Sequence, residues 1–145
     1  MSAMHEELAL LLAAMPDERR VTVAGRDFWQ GHWQGRPVVV VLSRIGKVAA
    51  ATTATVLIER FGVQQIVFTG VAGGMGEGVR VGDVVLAERF VQHDMDASPL
   101  FARHEVPLYG RSRFDTDAAL SDGLAKAAQQ VLAQVADHVG APAVA

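Results

Sequence analysis

The stretch Ile66-Val67-Phe68-Thr69-Gly70-Val71-Ala72-Gly73-Gly74-Met75-Gly76-Glu77-Gly78 limits the fold of this chain more than any other. A short apolar, β-branched run breaks into glycines at 70, 73, 74, 76 and 78. The pattern reads as a buried strand whose C-terminal end opens into a loop nearly free of side chains. Glycine permits positive φ and lets a ligand approach backbone N–H groups closely. In open α/β sheets ligands sit in the crevice beyond the carboxyl ends of strands, so the loop is a candidate floor for a binding site. The same spacing also suits a tight strand-to-strand connection with no ligand. No Gly-x-Gly-x-x-Gly opens a helix here and no Gly-Lys-Ser/Thr follows, which argues against phosphate cradles of those two kinds.

The rest of the chain supplies the surroundings of that loop. Leu8, Leu11, Leu12 and Met15 fall at offsets 0, 3, 4 and 7, one face of a helix over residues 1–15, with Glu6 and Glu7 in its first turn and Pro16-Asp17 as its stop. From Arg20 to Leu42 the pattern is β. Val21, Val23, Phe28 and Trp29 lie in one run, Gln34-Gly35-Arg36 makes a turn, and Val38 to Leu42 is an apolar run suited to a strand covered on both faces. The loop Ser43-Arg44-Ile45-Gly46-Lys47 leads into a helix over 48–61, with Val48, Thr52, Val56 and Leu57 as its packing face and Gly62 as its C-cap. A second apolar strand is expected over Val84 to Val91, ending in Gln92-His93-Asp94-Met95-Asp96. Residues 97–115 have no clean period. Thr116 to Val139 reads as a helix with Thr116 as N-cap and Leu120, Leu124, Ala127, Val131 and Val135 as its stripe, followed by a frayed tail over 140–145. The strand, helix, strand order predicts an α/β domain. No strand follows the last helix, so the sheet reads as incomplete.

At 145 residues the chain fits one domain that buries roughly two thirds of its unfolded surface. Thirteen basic against sixteen acidic residues, with no basic run, argue against nucleic acid as a partner. The absence of cysteine excludes disulfides, thiolate metal sites and cysteine nucleophiles. No signal-peptide pattern and no apolar run of membrane-spanning length is present, so the expected compartment is cytoplasmic, with no membrane partner.

Three places bring functional groups to the ends of elements. A carboxylate of Met4-His5-Glu6-Glu7 has the chemistry of a general base toward water if it points into a pocket; the alternative is a solvated pair completing a helix N-terminus. His93, Asp94 and Asp96 carry metal-ligand chemistry but lack a second cluster to complete a site, and a polar strand end, with Asp94 or His93 orienting the following loop, is the other reading. Leu100 and Phe101, in a loop long enough to be functional or mobile, either cover a ligand, pack on a second subunit, or fold back on their own core. His32, His104 and His138 read as surface residues, and no serine sits in a nucleophile elbow.

These stretches together resemble the nucleoside phosphorylase superfamily, and within it the bacterial methylthioadenosine/S-adenosylhomocysteine nucleosidases. The match rests on Ala3-Met4-His5-Glu6-Glu7, on Ser43-Arg44-Ile45-Gly46-Lys47-Val48-Ala49-Ala50, and on Thr69-Gly70-Val71-Ala72-Gly73-Gly74 followed by Val81-Gly82-Asp83-Val84-Val85. His93-Asp94-Met95-Asp96 also fits, and order and spacing agree from residue 3 to about 135. The resemblance implies a three-layer α/β/α fold around a central mixed sheet. It implies cleavage of the bond between adenine and a 5′-thio-substituted ribose, in methionine salvage and purine nucleoside catabolism, without metal or organic cofactor. It makes Glu7 the general base. It places Met4, Ile45, Val71, Ala72 and Gly73 around the substrate, and Leu100 or Phe101 near the 5′-thio pocket across a homodimer interface. It also implies a strand ahead of Ala3, here missing or reduced to a few residues. A purine loop, a Met-Glu ribose grip and a Ser-Asp pair carrying the general acid are expected in a further part that these 145 residues do not contain, so the fold reads as truncated. Two alternatives stand beside hydrolysis: phosphorolysis by a purine nucleoside phosphorylase, and an inactive remnant that binds ligand or dimerises.

Overall fold

The computed structural model of the chain describes residues 1–136. By its internal contacts the chain parts into two compact units, residues 1–73 and residues 74 onward.

In the first unit a three-stranded antiparallel sheet is built from β1 (Arg19–Val23), β2 (Arg26–Trp33) and β3 (Arg36–Val41), in that order. The β run splits at Ala24-Gly25 (φ 48° and 71°), and Gln34-Gly35 (φ 52° and 75°) forms the second hairpin turn. Two consecutive positive φ values give the turn twist that antiparallel strands accept. Helix α1 (Ala9–Ala13) lies behind a single 3₁₀ turn, His5–Glu7, so the expected first helix is broken at Leu8. Its apolar face survives the break. Leu8 and Met15 are buried with Val40, and Leu11, Leu12 and Trp29 pack around them. On a second cluster Phe28, Val41 and Leu57 are buried, with Val56, Phe61 and Ile66 alongside.

Those two clusters explain the unbroken apolar run of β3. Phe28 pairs with Val41 and Trp29 with Val40, and successive strand residues point to opposite faces. Val40 therefore meets α1 on one face, while Val41 meets α2 (Lys47–Phe61) on the other. A sheet with a helix on each face is the α/β layering predicted. The packing face of α2 is rotated from expectation: Thr53 and Leu57 are buried, whereas Val48 is 79% exposed and Thr52 is exposed. Thr53 hides its hydroxyl by donating to Ala49 O at 2.7 Å, which lets a polar residue occupy the core side. Gly62 closes α2 in the left-handed region, φ 64°, as expected of a glycine C-cap.

Residues 1–2 extend the sheet. Ser2 bridges Leu42 in parallel. Met1 N donates to Val67 O (2.9 Å) and Thr69 N donates to Met1 O (3.0 Å), which brackets Phe68 in the parallel sense. The sheet is thus mixed. The run 66–69, expected as a buried strand, carries no regular strand; these bonds hold it beside the start of the sequence, and Phe68 stays 54% exposed.

The second unit contains β4 (Arg89–Val91) paired antiparallel with β5 (Arg113–Asp115), and α3 (Ala118–Ala136). Of the expected strand 84–91, Arg89–Val91 forms a strand and Val84 an isolated bridge, and β5 lies inside the stretch expected to be irregular. Asp117, not Thr116, caps α3: its Oδ1 accepts the N–H of Leu120 at 2.8 Å. Thr116 instead donates to Ala87 O and Glu88 O, fastening the helix start beside β4. The less exposed face of α3 runs through Leu120, Leu124, Ala128 and Leu132, while Ala127, Val131 and Val135 face solvent. The expected end of this helix at Val139, the tail 140–145 and His138 lie outside the described residues.

Candidate functional site

The first unit brings three of the sequence-predicted residues into direct contact around one carboxylate. Met4 is extended (φ −127°, ψ 155°) at the start of the 3₁₀ turn, which turns Glu7 back on the chain before it. Glu7 Oε2 accepts the N–H groups of Ala3 and Met4, both at 2.9 Å. This is the helix-capping role left open by the sequence. Oε1 does something else: it accepts the N–H of Val71, in the glycine loop, at 3.0 Å. Glu7 therefore ties the turn to the loop floor, and its side chain is half-buried between them.

Three backbone donors on one carboxylate favour its charged form. The Met4 N–H, then that of Val71, holds Glu7 below the usual glutamate range, Ala3 adds to the effect, and partial burial opposes it. Glu7 is ionised at neutral pH. Both acceptor sites of Oε2 and one of Oε1 are taken by these backbone donors, so one site on Oε1 is left to accept from water. The carboxylate is in the basic form, and its lowered pKa makes it a weaker proton acceptor.

Two buried serines and Thr69 fix the neighbouring segments. Ser43 donates its N–H (2.8 Å) and its Oγ (3.1 Å) to Ser2 O. Ser2 Oγ and Thr69 Oγ1 share a hydrogen bond of 2.9 Å. Ser2 and Ser43 are fully buried, so both hydroxyls need these partners. These bonds join the start of the sequence, the loop after β3 and the loop after residue 69. Ile45 stands two residues beyond Ser43, on the loop where Arg44 (φ 68°) donates to Gly25 O at 2.7 Å. Its side chain is exposed, as are Val71, Ala72 and Gly73, and a Cβ at Gly73 would meet nothing within 4 Å. Met4, Glu7 and Val71 are joined directly. Ile45 is linked to them only through Ser43 and Ser2.

Leu100 and Phe101 lie in the second unit, where both N–H groups turn back to Ala97 O. Leu100 is 85% exposed and Phe101 half-buried. At the polar end of β4, Asp96 turns onto the residues that follow it. Its Oδ1 accepts the Ser98 N–H at 3.1 Å, and Ser98, side chain first, lowers the Asp96 pKa. Met95 O accepts the N–H of His104. His104, expected at the surface, is half-buried at φ 69°. Among the described residues no group of three His, Asp or Glu is placed to hold a metal ion, and no helix is long and apolar enough to cross a membrane.

Sequence reasoning missed Ser2, and named Ser43, Thr69 and Gly70 only as parts of motifs, because their roles arise from contacts between segments distant in the chain. It also missed a pair on the sheet surface. Asp17 accepts the backbone N–H of His32 at 2.9 Å and bonds its Nδ1 at 2.8 Å, and these contacts lower the Asp17 pKa.

Residues 1–145 match the family model of the phosphorylase superfamily. A 5′-methylthioadenosine/S-adenosylhomocysteine nucleosidase of Oceanobacillus iheyensis is 48% identical over 96 residues, 66% of this chain and 42% of that protein. One from a Marinomonas species is 37% identical over 139 residues, 95% of this chain and 59% of that protein. The crystal structure of the Neisseria meningitidis nucleosidase in complex with methylthio-immucillin-A superposes with a TM-score of 0.87 at 32% identity, covering 99% of this chain and 59% of that one. The chain spans about half the length of the relatives it matches.

Proposed function

We propose that this chain, which belongs to the phosphorylase superfamily, carries the water-activating side of a nucleosidase for 5′-methylthioadenosine and S-adenosylhomocysteine. The observation that carries the reading is the ionised Glu7 carboxylate, hydrogen-bonded both to its own turn and to the glycine loop. Glu7 takes a proton from a water molecule, and the water oxygen bonds to the anomeric carbon of the ribose. The carbon–nitrogen bond breaks toward adenine, which leaves with a proton from a general acid. Positive charge develops on the sugar as that bond lengthens, and a fixed carboxylate stabilises it. Met4 and Ile45 border the sugar and its 5′-substituent in this reading, and Val71, Ala72 and Gly73 line the ribose and base.

The complex of the Neisseria nucleosidase with methylthio-immucillin-A supports a small nucleoside as the ligand. The exposure of Leu100 supports a homodimer in which Leu100 or Phe101 reaches the partner's 5′-thio pocket. Both units then belong to one partial nucleoside phosphorylase-like domain, working in the cytoplasm in methionine salvage.

The test is adenine release from methylthioadenosine by the purified chain, with and without phosphate, beside Glu7→Gln. Hydrolysis predicts release without phosphate and a loss of about 10²–10⁴ in rate in the variant. Release that requires phosphate would replace hydrolysis with phosphorolysis. A folded chain that releases nothing would refute the activity.

A further inference from the structure

We infer that Gly70 is a positioning residue for Glu7: the missing side chain at 70 is the space in which the Glu7 carboxylate sits, and it sets the placement of that carboxylate. A Cβ built at Gly70 would lie 2.8 Å from Glu7 Oε1, 3.1 Å from its carboxyl carbon and 3.2 Å from Oε2, and these are its three nearest neighbours. The requirement is for space rather than for an unusual backbone, because Gly70 is not among the glycines of positive φ.

The backbone on both sides of Gly70 is tied down. Thr69 is held by its N–H on Met1 O and by its hydroxyl on the fully buried Ser2. Val71 is held by its N–H on Glu7 Oε1. A methyl group at 70 cannot be relieved by sliding the loop without breaking the Thr69 bonds. The carboxylate is the freer partner, and moving it by several tenths of an ångström separates Oε1 from the Val71 N–H. The same step that misplaces the base removes a donor that keeps it charged.

This inference rests on the reading of Glu7 as the base, yet its first readout needs no turnover. Carbon-13 detected titration of the Glu7 carboxyl in the chain and in Gly70→Ala follows the ionisation directly. Glu7 is expected to titrate below the ordinary glutamate range in the parent and to move up toward it in G70A, with the Val71 amide no longer following that titration. Where the parent releases adenine, G70A is expected to lose about 10²-fold in kcat with little change in KM, and its acid limb is expected to move to higher pH. A G70A chain in which Glu7 titrates as in the parent, with the Val71 amide still following, would overturn the inference. Should G70A fail to fold, Glu7→Ala with Gly70→Ala decides. Removing the carboxylate removes the three nearest contacts of the methyl, so the double variant is expected to fold as well as Glu7→Ala alone; its failure would show that Gly70 is needed for the loop itself. A parent that releases no adenine but shows the titration shift would refute the proposed activity and leave the placement of Glu7 by Gly70 standing.

Discussion

A glutamate that caps its own turn and also binds a distant loop has a pH signature. Glu7 is depressed in the folded chain, so its hydrogen bonds stabilise the fold in full above the ordinary glutamate pKa of about 4.3. That contribution is lost as pH falls through the lower pKa Glu7 has in the folded state. Asp17 has the same sign, through the backbone and ring of His32. Thermal melts of the parent and Glu7→Gln should therefore be separated most at neutral pH and converge as pH falls below the ordinary glutamate range. The glutamine carbonyl can accept one backbone N–H but carries no charge to lose. Equal spacing of the two curves across the whole range would mean that Glu7 gains nothing from its three donors.

Between elements, the sheet of the first unit transmits order from helix to helix. Phe28 is fully buried beneath α2 and stacks on Phe61 with ring centroids 4.8 Å apart. Its strand neighbour across the pair, Val41, is equally buried. Phe28→Ala is expected to cost about 3–5 kcal/mol in urea unfolding, because backbone on both sides is fixed by the ladder and the hole cannot close. A loss below about 1 kcal/mol would mean that α2 collapses onto the gap. Much of this layering was legible: the apolar run Val38–Leu42 implied cover on both faces, and the 0, 3, 4, 7 spacing of Leu8 to Met15 marked the face of the first helix. The orientation of α2 was not legible, because alanine and threonine are small enough to pack on either side and only tertiary contact chose Thr53 over Thr52. Thr116 as a helix cap failed for a related reason: two capping residues stand in a row, and the carbonyls of Ala87 and Glu88 just before β4 took the first. At the site, the glycine loop could be read from the residues alone as a candidate floor, whereas Glu7 was singled out from Glu6 only by the family resemblance. Gly70 could not be told from its neighbouring glycines, since its role depends on a carboxylate 63 positions earlier arriving beside it.

For the molecule as a whole, the two units differ in what they bury. Leu8, Met15, Phe28, Val40, Val41 and Leu57, the buried apolar residues, all lie in residues 1–73. From residue 74 to 135 no described residue is fully buried, while Leu100, Leu108, Tyr109, Phe90 and Val131 are exposed. Burial of apolar surface is the main favourable term in folding, so the second unit has little of its own to offset the entropy of ordering its chain. Hydrogen exchange followed by mass spectrometry in dilute solution should find the slowest amides in β2, β3 and α2, and much faster exchange in β4, β5 and α3. Raising the protein concentration separates two causes. Protection of residues 74–136 that grows with concentration would show a second copy covering the exposed residues, as the proposed homodimer requires, and Leu100→Asp should abolish that growth. Protection in the second unit equal to that of β2, and independent of concentration, would show that its sparse core suffices and would remove the energetic reason for a partner there.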